Sequence, residues 1–301
     1  MEYRENVQID QSRVRYGGGS RGSGGGGGGR KVAVGGGLGG IVVLLLMLFF
    51  GGGGDGLGQL LGAGEPQEQG QNQQAQPDCD STDDLTNNPE CRWVVYENAL
   101  TNYWSTEFTS GFEPPSGMEV FSGQISTACG TGSSEMGPFY CPGDTKMYLD
   151  SEFTSQLLQQ LGTERSDVAE LYIVGHEYGH HISNLTGQMS AARASGNDTG
   201  PKSAAVRLEL QADCYAGVFF SNTIKDPQSP IESVTQEDLD RIVAAARAVG
   251  DDHIQQQSGG RVVPESWTHG SSQMRQYWTA IGFNKGTPSS CDTFSTDDLG
   301  G

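Results

Sequence analysis

The strongest constraint on this chain is a five-residue motif, H-E-Y-G-H, which runs from His176 to His180 inside the apolar stretch 171–182. The stretch indicates a helix, on which positions i and i+4 lie one above the other, so both imidazoles project from one face. Two imidazoles at this spacing can share one tetrahedral zinc ion, with Glu177 close enough to act on a water molecule there. The motif therefore predicts a zinc site built on a helix.

A catalytic zinc site needs a third protein ligand, and the sequence narrows the choice. The metzincin extension of the motif would need glycine at 183 and histidine at 186, where this chain has Ser183 and Thr186, so that class is excluded. A second predicted helix, 203–222, carries Glu209 and Asp213 four residues apart and thus on one face. We expect Glu209 to complete a His₂Glu ligand set and Asp213 to accept the N–H of a ligating histidine. A solvated carboxylate on the helix surface is the alternative for each.

Charge is distributed unevenly along the chain. The formal net charge is -19 over 301 residues, yet the segment before Val32 has six basic and three acidic residues. The rest of the chain is therefore strongly acidic, and an acidic domain repels nucleic acids and anionic lipid headgroups. We expect no nucleic-acid partner for the folded part.

Composition divides the chain into four predicted regions. Residues 1–31 are basic and glycine-rich, which predicts a cytoplasmic tail without packed structure. Residues 32–50 contain no charge and are just long enough to cross a lipid bilayer, which predicts an anchor; a cleaved signal peptide is the alternative. Residues 51–78 form a glycine- and glutamine-rich linker to the domain at 79–301. The basic residues before the anchor place this domain outside the cytoplasm, in a single-pass protein of the cell membrane.

All six cysteines follow the apolar segment, and an even number of them outside the cytoplasm indicates disulfides. Buried free thiols are the alternative. The most economical of the 15 possible pairings joins Cys79 to Cys91, Cys129 to Cys141, and Cys214 to Cys291.

The domain is predicted to be α+β, with helices dominant and a small β-sheet. Two strands are expected at 119–129 and 146–150, which a disulfide between Cys129 and Cys141 would hold side by side as a hairpin-like unit. Ser166 is a good N-cap for the helix that carries the motif. Within that helix, Gly179 would let a strand or a substrate approach closely. The helices are expected at 91–104, 152–161, 167–184, 203–222, 235–249 and 271–281.

Residues 90–291 resemble the bacterial family described as putative neutral zinc metallopeptidases. The resemblance rests on G-P-F-Y-C-P-x-D-x-x-x-Y-L-D (137–150), H-E-Y-G-H-H (176–181), E-L-Q-A-D (209–213) and T-H-G-S-S (268–272). It implies a zinc cofactor and a zincin-like metallopeptidase fold, here preceded by a single transmembrane helix. The H-E-x-x-H and E-x-x-x-D pair also resembles the gluzincin pattern of CAAX-prenyl peptidases and their bacterial heat-shock relatives.

The segment from Thr268 to Arg275 resembles the T-H-P-x-x-x-x-R segment of those gluzincin relatives, with Gly270 in place of proline. The resemblance implies that His269 donates a hydrogen bond to the oxyanion formed during peptide hydrolysis and that Arg275 is a structural partner. A histidine in a surface loop is the alternative for His269.

The sequence therefore predicts a membrane-anchored, extracytoplasmic zinc peptidase that acts on peptides or proteins, with Glu177 as the general base. Its other predicted partner is the lipid bilayer around the anchor. A zinc-stabilised envelope scaffold or interaction domain without catalysis is the second hypothesis. A disulfide-bonded binding domain in which the motif is accidental is the third.

Overall fold

The computed structural model describes residues 1–17, 76–160 and 166–301. Its helices are α1 (Arg92–Glu107), α2 (Ser151–Gln160), α3 (Asp167–Leu185), α4 (Gln188–Ser195), α5 (Ala204–Thr223), α6 (Gln236–Ala248), α7 (Asp251–Gln257) and α8 (Ser272–Lys285). Its strands are β1 (Glu2–Tyr3), β2 (Val14–Tyr16), β3 (Gly117–Val120), β4 (Gln124–Thr127), β5 (Gly130–Ser133), β6 (Phe139–Cys141), β7 (Lys146–Leu149) and β8 (Ile231–Ser233).

Helix α3 lies at the centre of the fold. Its N-terminus is capped by Ser166, whose hydroxyl accepts the backbone N–H of Ala169, and the acidic residues of its first turn complement the helix dipole. All residues from 168 to 183 are buried, since α1, α5 and the strand β6 pack around the helix. A helix that is buried on every face belongs to the core rather than the surface.

Helices α3 and α5 approach each other closely at Gly179. A Cβ atom at that position would lie 2.9 Å from the Cα and the carbonyl oxygen of Ala212 on α5. The expectation that a strand or a substrate would approach Gly179 is therefore wrong, because the neighbour is another helix. This close contact brings the second histidine of the motif next to Glu209.

The main sheet has four strands in the order β2-β3-β7-β6, with β6 antiparallel to β7 and the other pairs parallel. The single strand predicted at 119–129 is divided into β3 and β4 by a turn that includes Gly123 at a φ of 82°. The predicted hairpin-like unit is wrong, because β3 and β7 run parallel and β4 pairs with β5. Which strands pair depends on contacts between segments far apart in the sequence, and local patterns do not specify it.

The first sixteen residues belong to the folded domain. Strand β1 pairs with β8, and β2 forms the edge of the main sheet against β3, where the side chain of Val14 is 1% exposed. The expectation of a tail without packed structure over 1–31 is therefore wrong for residues 1–16. The apolar and aromatic residues of β2 supply buried surface that offsets the cost of ordering this segment.

The structure confirms the α+β architecture of the predicted fold class but does not bear out its transmembrane helix. Among the residues that the structure describes, every helix is too short or too polar to cross a membrane. The segment predicted as the anchor, residues 32–50, lies outside the described residues, as does most of the predicted linker.

Three disulfides join the six cysteines in the pairs expected from the sequence: Cys79–Cys91, Cys129–Cys141 and Cys214–Cys291. The second of them connects the end of the β4–β5 hairpin with β6 rather than joining two paired strands. The third attaches the segment after α8 to α5, the helix that carries Glu209.

Candidate metal centre

Three buried side chains converge between α3 and α5. His176 and His180 lie one turn apart on α3, Glu209 lies on α5, and the ligand atoms of the three residues are within 4.8 Å of one another. The Nε2 atoms of His176 and His180 are 3.1 Å and 3.3 Å from the two carboxylate oxygens of Glu209. The structure thus brings together all three predicted ligands. A His₂Glu set is a donor set that catalytic zinc sites use, with one coordination position left for water or substrate.

Glu177 supports the assignment of this cluster to zinc. Its side chain is buried, and the oxygen Oε2 has no hydrogen-bond partner among the described residues. Burial raises the pKa of its carboxyl group, against the effect of the nearby His176 and His180. A buried polar atom without a partner is costly, and a water molecule at a bound metal is such a partner. The donor set and this unsatisfied oxygen both fit a zinc ion.

Asp213 contacts the Nδ1 side of the His176 ring, opposite the Nε2 atom that faces Glu209. Its Oδ1 atom lies 2.7 Å from Nδ1 of His176 and accepts a hydrogen bond from the Tyr172 hydroxyl at 2.5 Å. A carboxylate in this position fixes the ring with its proton on Nδ1, which leaves Nε2 for the metal. The predicted role of Asp213 beside a ligating histidine is therefore compatible with its position.

Arg275 neutralises the buried Asp213. Its Nε and Nη2 atoms donate to the two carboxylate oxygens, both at 2.8 Å, in the bidentate geometry typical of this pair. Burial would raise the pKa of Asp213, but Arg275 and His176 hold it below its usual value.

Burial opposes protonation of His176, yet Asp213 and Glu209 raise the pKa of this imidazole to about 10. A metal that binds His176 must therefore displace a proton.

His269 lies beside the ligand set in a loop that Asp251 organises. One carboxylate oxygen of Asp251 accepts the backbone N–H groups of Thr268, His269 and Gly270 at 2.8, 2.7 and 3.0 Å. The other oxygen lies 3.4 Å from Nδ1 of His269. Burial would lower the pKa of this imidazole, but the negative charges of Glu209 and Asp251 raise it. The structure thus places His269 within electrostatic reach of the third ligand.

The chain matches a known family over almost its whole length. The sequence profile described as "Putative neutral zinc metallopeptidase" matches residues 1–294. The chain belongs to this family. The match includes β1 and β2, in agreement with their place in the fold.

Relatives of this chain occur in Mycobacterium and in Escherichia coli. "Uncharacterized protein Rv2575" of Mycobacterium tuberculosis strain H37Rv is 45% identical over 216 residues, which are 70% of this chain and 72% of the relative. "Uncharacterized protein YpfJ" of Escherichia coli K12 is 43% identical over 183 residues, 58% of this chain and 60% of the relative. No solved structure matches the chain at a comparable level.

Two residues that support the metal centre were not predicted from the sequence. Tyr172 lies four residues before His176 and therefore on the same helix face, a signal that could have identified it. Asp251 gave no such signal, because it acts on a loop 17 to 19 residues later through contacts that only the fold creates.

The remaining histidine of the motif region, His181, has a structural role. Its Nδ1 atom accepts the Tyr140 hydroxyl at 2.9 Å, and its Nε2 atom donates to the Glu113 carbonyl at 2.7 Å. Burial lowers the pKa of His181 to about 4, so the ring is neutral at pH 7. It connects the metal-binding helix to β6.

Proposed function

We propose that this protein is a zinc-dependent peptidase that hydrolyses peptide bonds in peptide or protein substrates outside the cytoplasm. The observation that carries the proposal is the buried His₂Glu set beside Glu177, whose carboxylate has one oxygen without a hydrogen-bond partner in the described part of the chain. A purely structural zinc site has four protein ligands and no use for such a carboxylate.

Zinc held by His176, His180 and Glu209 would supply a polarised substrate carbonyl and an acidified water molecule. Glu177 takes the proton of the attacking water and delivers it to the leaving amine. Burial suits Glu177 to both steps, because a raised pKa brings a carboxyl group closer to the pH at which it must accept and release a proton.

His269 donates a hydrogen bond to the oxyanion of the reaction. A positive charge is favoured on this imidazole by Glu209 and Asp251, and a charged donor stabilises a developing oxyanion more than a neutral one. Asp251 positions the histidine by holding the backbone of its loop at three successive N–H groups.

The extracytoplasmic location rests on the three disulfides. All six cysteines are paired, and such bonds persist in oxidising compartments and are rare in the cytosol. Contact with a lipid bilayer through residues 32–50 stays a prediction from the sequence.

The test compares the full-length protein with its Glu177→Gln variant, with zinc content measured by mass spectrometry of the metal and cleavage measured on a randomised peptide mixture. The peptidase proposal expects about one zinc ion per chain in both proteins and cleavage by the wild type alone. Glu237→Gln, which changes an exposed carboxylate on α6, is the control and keeps both properties.

Two outcomes contradict the proposal. Zinc in both proteins with cleavage in neither supports the non-catalytic scaffold, in which Glu177 has no function. A wild-type protein that contains no zinc would show that the predicted metal site does not bind zinc. It would support the third hypothesis, a disulfide-bonded domain in which the motif is accidental.

A further inference from the structure

Arg193 forms no ion pair with any carboxylate of residues 1–17, 76–160 or 166–301. It lies on α4, the helix that follows the metal-binding helix, and its side chain is half-buried. Its Nε and Nη2 atoms are shut off from solvent and have no hydrogen-bond partner among the described residues. Two guanidinium donors in this state leave a binding position for an acceptor.

Two fully buried arginines each have a carboxylate partner. Arg92 donates to Glu170 at 2.7 Å, and Arg275 donates to Asp213. Arg193 has no such carboxylate in the part of the chain that the structure describes, and burial lowers the pKa of its guanidinium against the opposing effect of Tyr140. Acidic residues outnumber basic ones in this chain, which has a net charge of -19, yet none of the described carboxylates pairs with Arg193. The missing acceptor is therefore expected from a ligand.

The position of Arg193 connects it with the metal centre. Its electrostatic neighbour is Tyr140, whose hydroxyl contacts His181 and accepts a hydrogen bond from Asn184 at 3.1 Å. Asn184 lies four residues after His180 and seven after Glu177, so it continues the helix face that carries the ligand and the base. Seven residues of helix correspond to about 10 Å along the axis.

An extended peptide advances about 3.3 Å per residue, so 10 Å corresponds to about three residues. A substrate that runs along this helix face from the metal would thus bring a residue about three positions from the scissile bond beside Asn184. Asn184 donates to Tyr140, the electrostatic neighbour of Arg193. The guanidinium group presents a planar pair of donors that matches a carboxylate.

We propose that Arg193 binds a carboxylate of the peptide substrate, about three residues from the bond that is cleaved. The carboxylate comes from an aspartate or glutamate side chain or from the free C-terminus of a short peptide. The proposal rests on the proposed peptidase function, which it extends to substrate selection.

The test measures binding separately from cleavage. The zinc-loaded, full-length Glu177→Gln protein is titrated against four fluorescein-labelled randomised octapeptide pools by fluorescence anisotropy. The pools carry a fixed glutamate or a fixed glutamine at the seventh position, and each is made with a free or an amidated C-terminus. These arms distinguish a side-chain carboxylate from a terminal one.

We expect one class of carboxylate pool to bind about tenfold tighter than its uncharged counterpart, as charge-assisted hydrogen bonds imply. Adding Arg193→Gln should remove this difference, and Arg193→Lys should keep part of it because the charge remains. Arg193→Met provides a second variant of similar length if the glutamine variant does not fold. Arg241→Gln, which removes a half-buried arginine on α6, is the matched control and should keep the full preference.

The proposal is overturned if no pool shows a preference for the carboxylate, or if the preference persists in folded Arg193→Gln and Arg193→Met proteins. The proposed function fails separately, through the absence of cleavage by the wild-type protein. A carboxylate preference in the binding assay would then assign Arg193 to a peptide-binding site without catalysis.

Discussion

Among individual residues, Asp213 affects the metal centre most without being a ligand. Its carboxylate accepts hydrogen bonds from the Tyr172 hydroxyl, from Nε and Nη2 of Arg275 and from the imidazole of His176. An asparagine in its place would turn an amide N–H₂ group toward some of these donors. We predict that Asp213→Asn weakens zinc binding about 10- to 100-fold, as is typical when such an outer carboxylate is lost. Competition with a zinc chelator of known affinity measures the change.

The control for this prediction is Asp240→Asn, the same replacement at an exposed position of α6, which should leave zinc affinity unchanged. The zinc affinity of the wild type and of this control should also rise with pH, because zinc must displace a proton from His176, whose pKa Asp213 and Glu209 raise. Equal zinc affinities of the Asp213→Asn protein and the wild type would show that the carboxylate does not support the ligand.

Glu97 on α1 makes stability depend on pH. Burial raises its pKa to about 7, against the opposing effects of Thr101 and Arg13. Between pH 4.5, the ordinary pKa of a glutamate, and pH 7, the unfolded state binds fewer protons at Glu97 than the folded state does. The free energy of unfolding therefore falls as the pH rises through this window. The stability that protonated Glu97 contributes is fully present below about pH 4.5 and lost above pH 7.

We therefore predict that Glu97→Gln increases the free energy of unfolding by about 3 kcal/mol at pH 8 and changes it little at pH 4.5. Urea unfolding at the two pH values measures the difference. Glu107→Gln, at an exposed position of the same helix, should have a small effect at both. An effect of Glu97→Gln that is equal at pH 4.5 and pH 8 would contradict the prediction.

The ligand residues could be anticipated because their information is local. The histidines are four positions apart on one helix, and Glu209 is an acidic residue between Leu208 and Leu210 on the next long helix. Asp251 and Arg193 could not be anticipated, since their importance depends on which loop or aromatic ring the fold places beside them. Contacts between distant segments have no periodicity that a single sequence reveals.

At the level of secondary-structure elements, the approach of α3 and α5 at Gly179 determines the geometry of the metal site, because each helix carries part of the ligand set. A Cβ at Gly179 would press on the backbone of Ala212 at 2.9 Å. We predict that Gly179→Ala separates the helices, lowers the free energy of unfolding by about 1–3 kcal/mol and weakens zinc binding.

Gly175→Ala is a matched control on the same helix. A Cβ there would meet Ala216 at 3.5 Å, an ordinary contact, so the higher helix propensity of alanine should leave the protein as stable as the wild type or more so. Urea unfolding and chelator competition on both variants distinguish packing from propensity. The packing argument fails if Gly179→Ala behaves like Gly175→Ala.

The helix ends could be predicted better than the sheet. Ser166, Ser203 and Thr235 each cap the helix that follows, so the predicted bounds 167–184 and 203–222 are close to the observed bounds of α3 and α5. Capping is a property of three or four neighbouring residues. Strand pairing joins β2 to β3 over about a hundred residues, for which local patterns give no register.

On the scale of the whole molecule, the N-terminal strands show the limit of reasoning from composition. Residues 1–16 precede a basic, glycine-rich segment, yet they contain the alternating positions Val14 and Tyr16 that β2 buries. Two or three residues suffice for an edge strand when the rest of the sheet is already formed. The domain therefore includes residues that the bulk composition of 1–31 assigned to a tail.

The long-range disulfide Cys214–Cys291 should contribute most to the stability of the whole molecule. It closes a sequence separation of 77 residues, whereas Cys79–Cys91 closes one of 12. The loop-closure entropy removed from the unfolded chain corresponds to about 4.5 kcal/mol for the longer loop and about 3 kcal/mol for the shorter. We predict that replacing both cysteines of a pair by alanine lowers the free energy of unfolding by these amounts.

Urea unfolding of the two double variants, each without zinc, measures the difference of about 1.5 kcal/mol that loop length implies. The comparison without metal matters because Cys214 follows Asp213 on α5, so a change in zinc affinity would otherwise add to the measured stability. Thermal unfolding with zinc then reports that second contribution separately. If the Cys79–Cys91 disulfide contributes as much stability as Cys214–Cys291, the entropy of the unfolded chain does not determine these contributions. Native packing around the cysteines would then determine them.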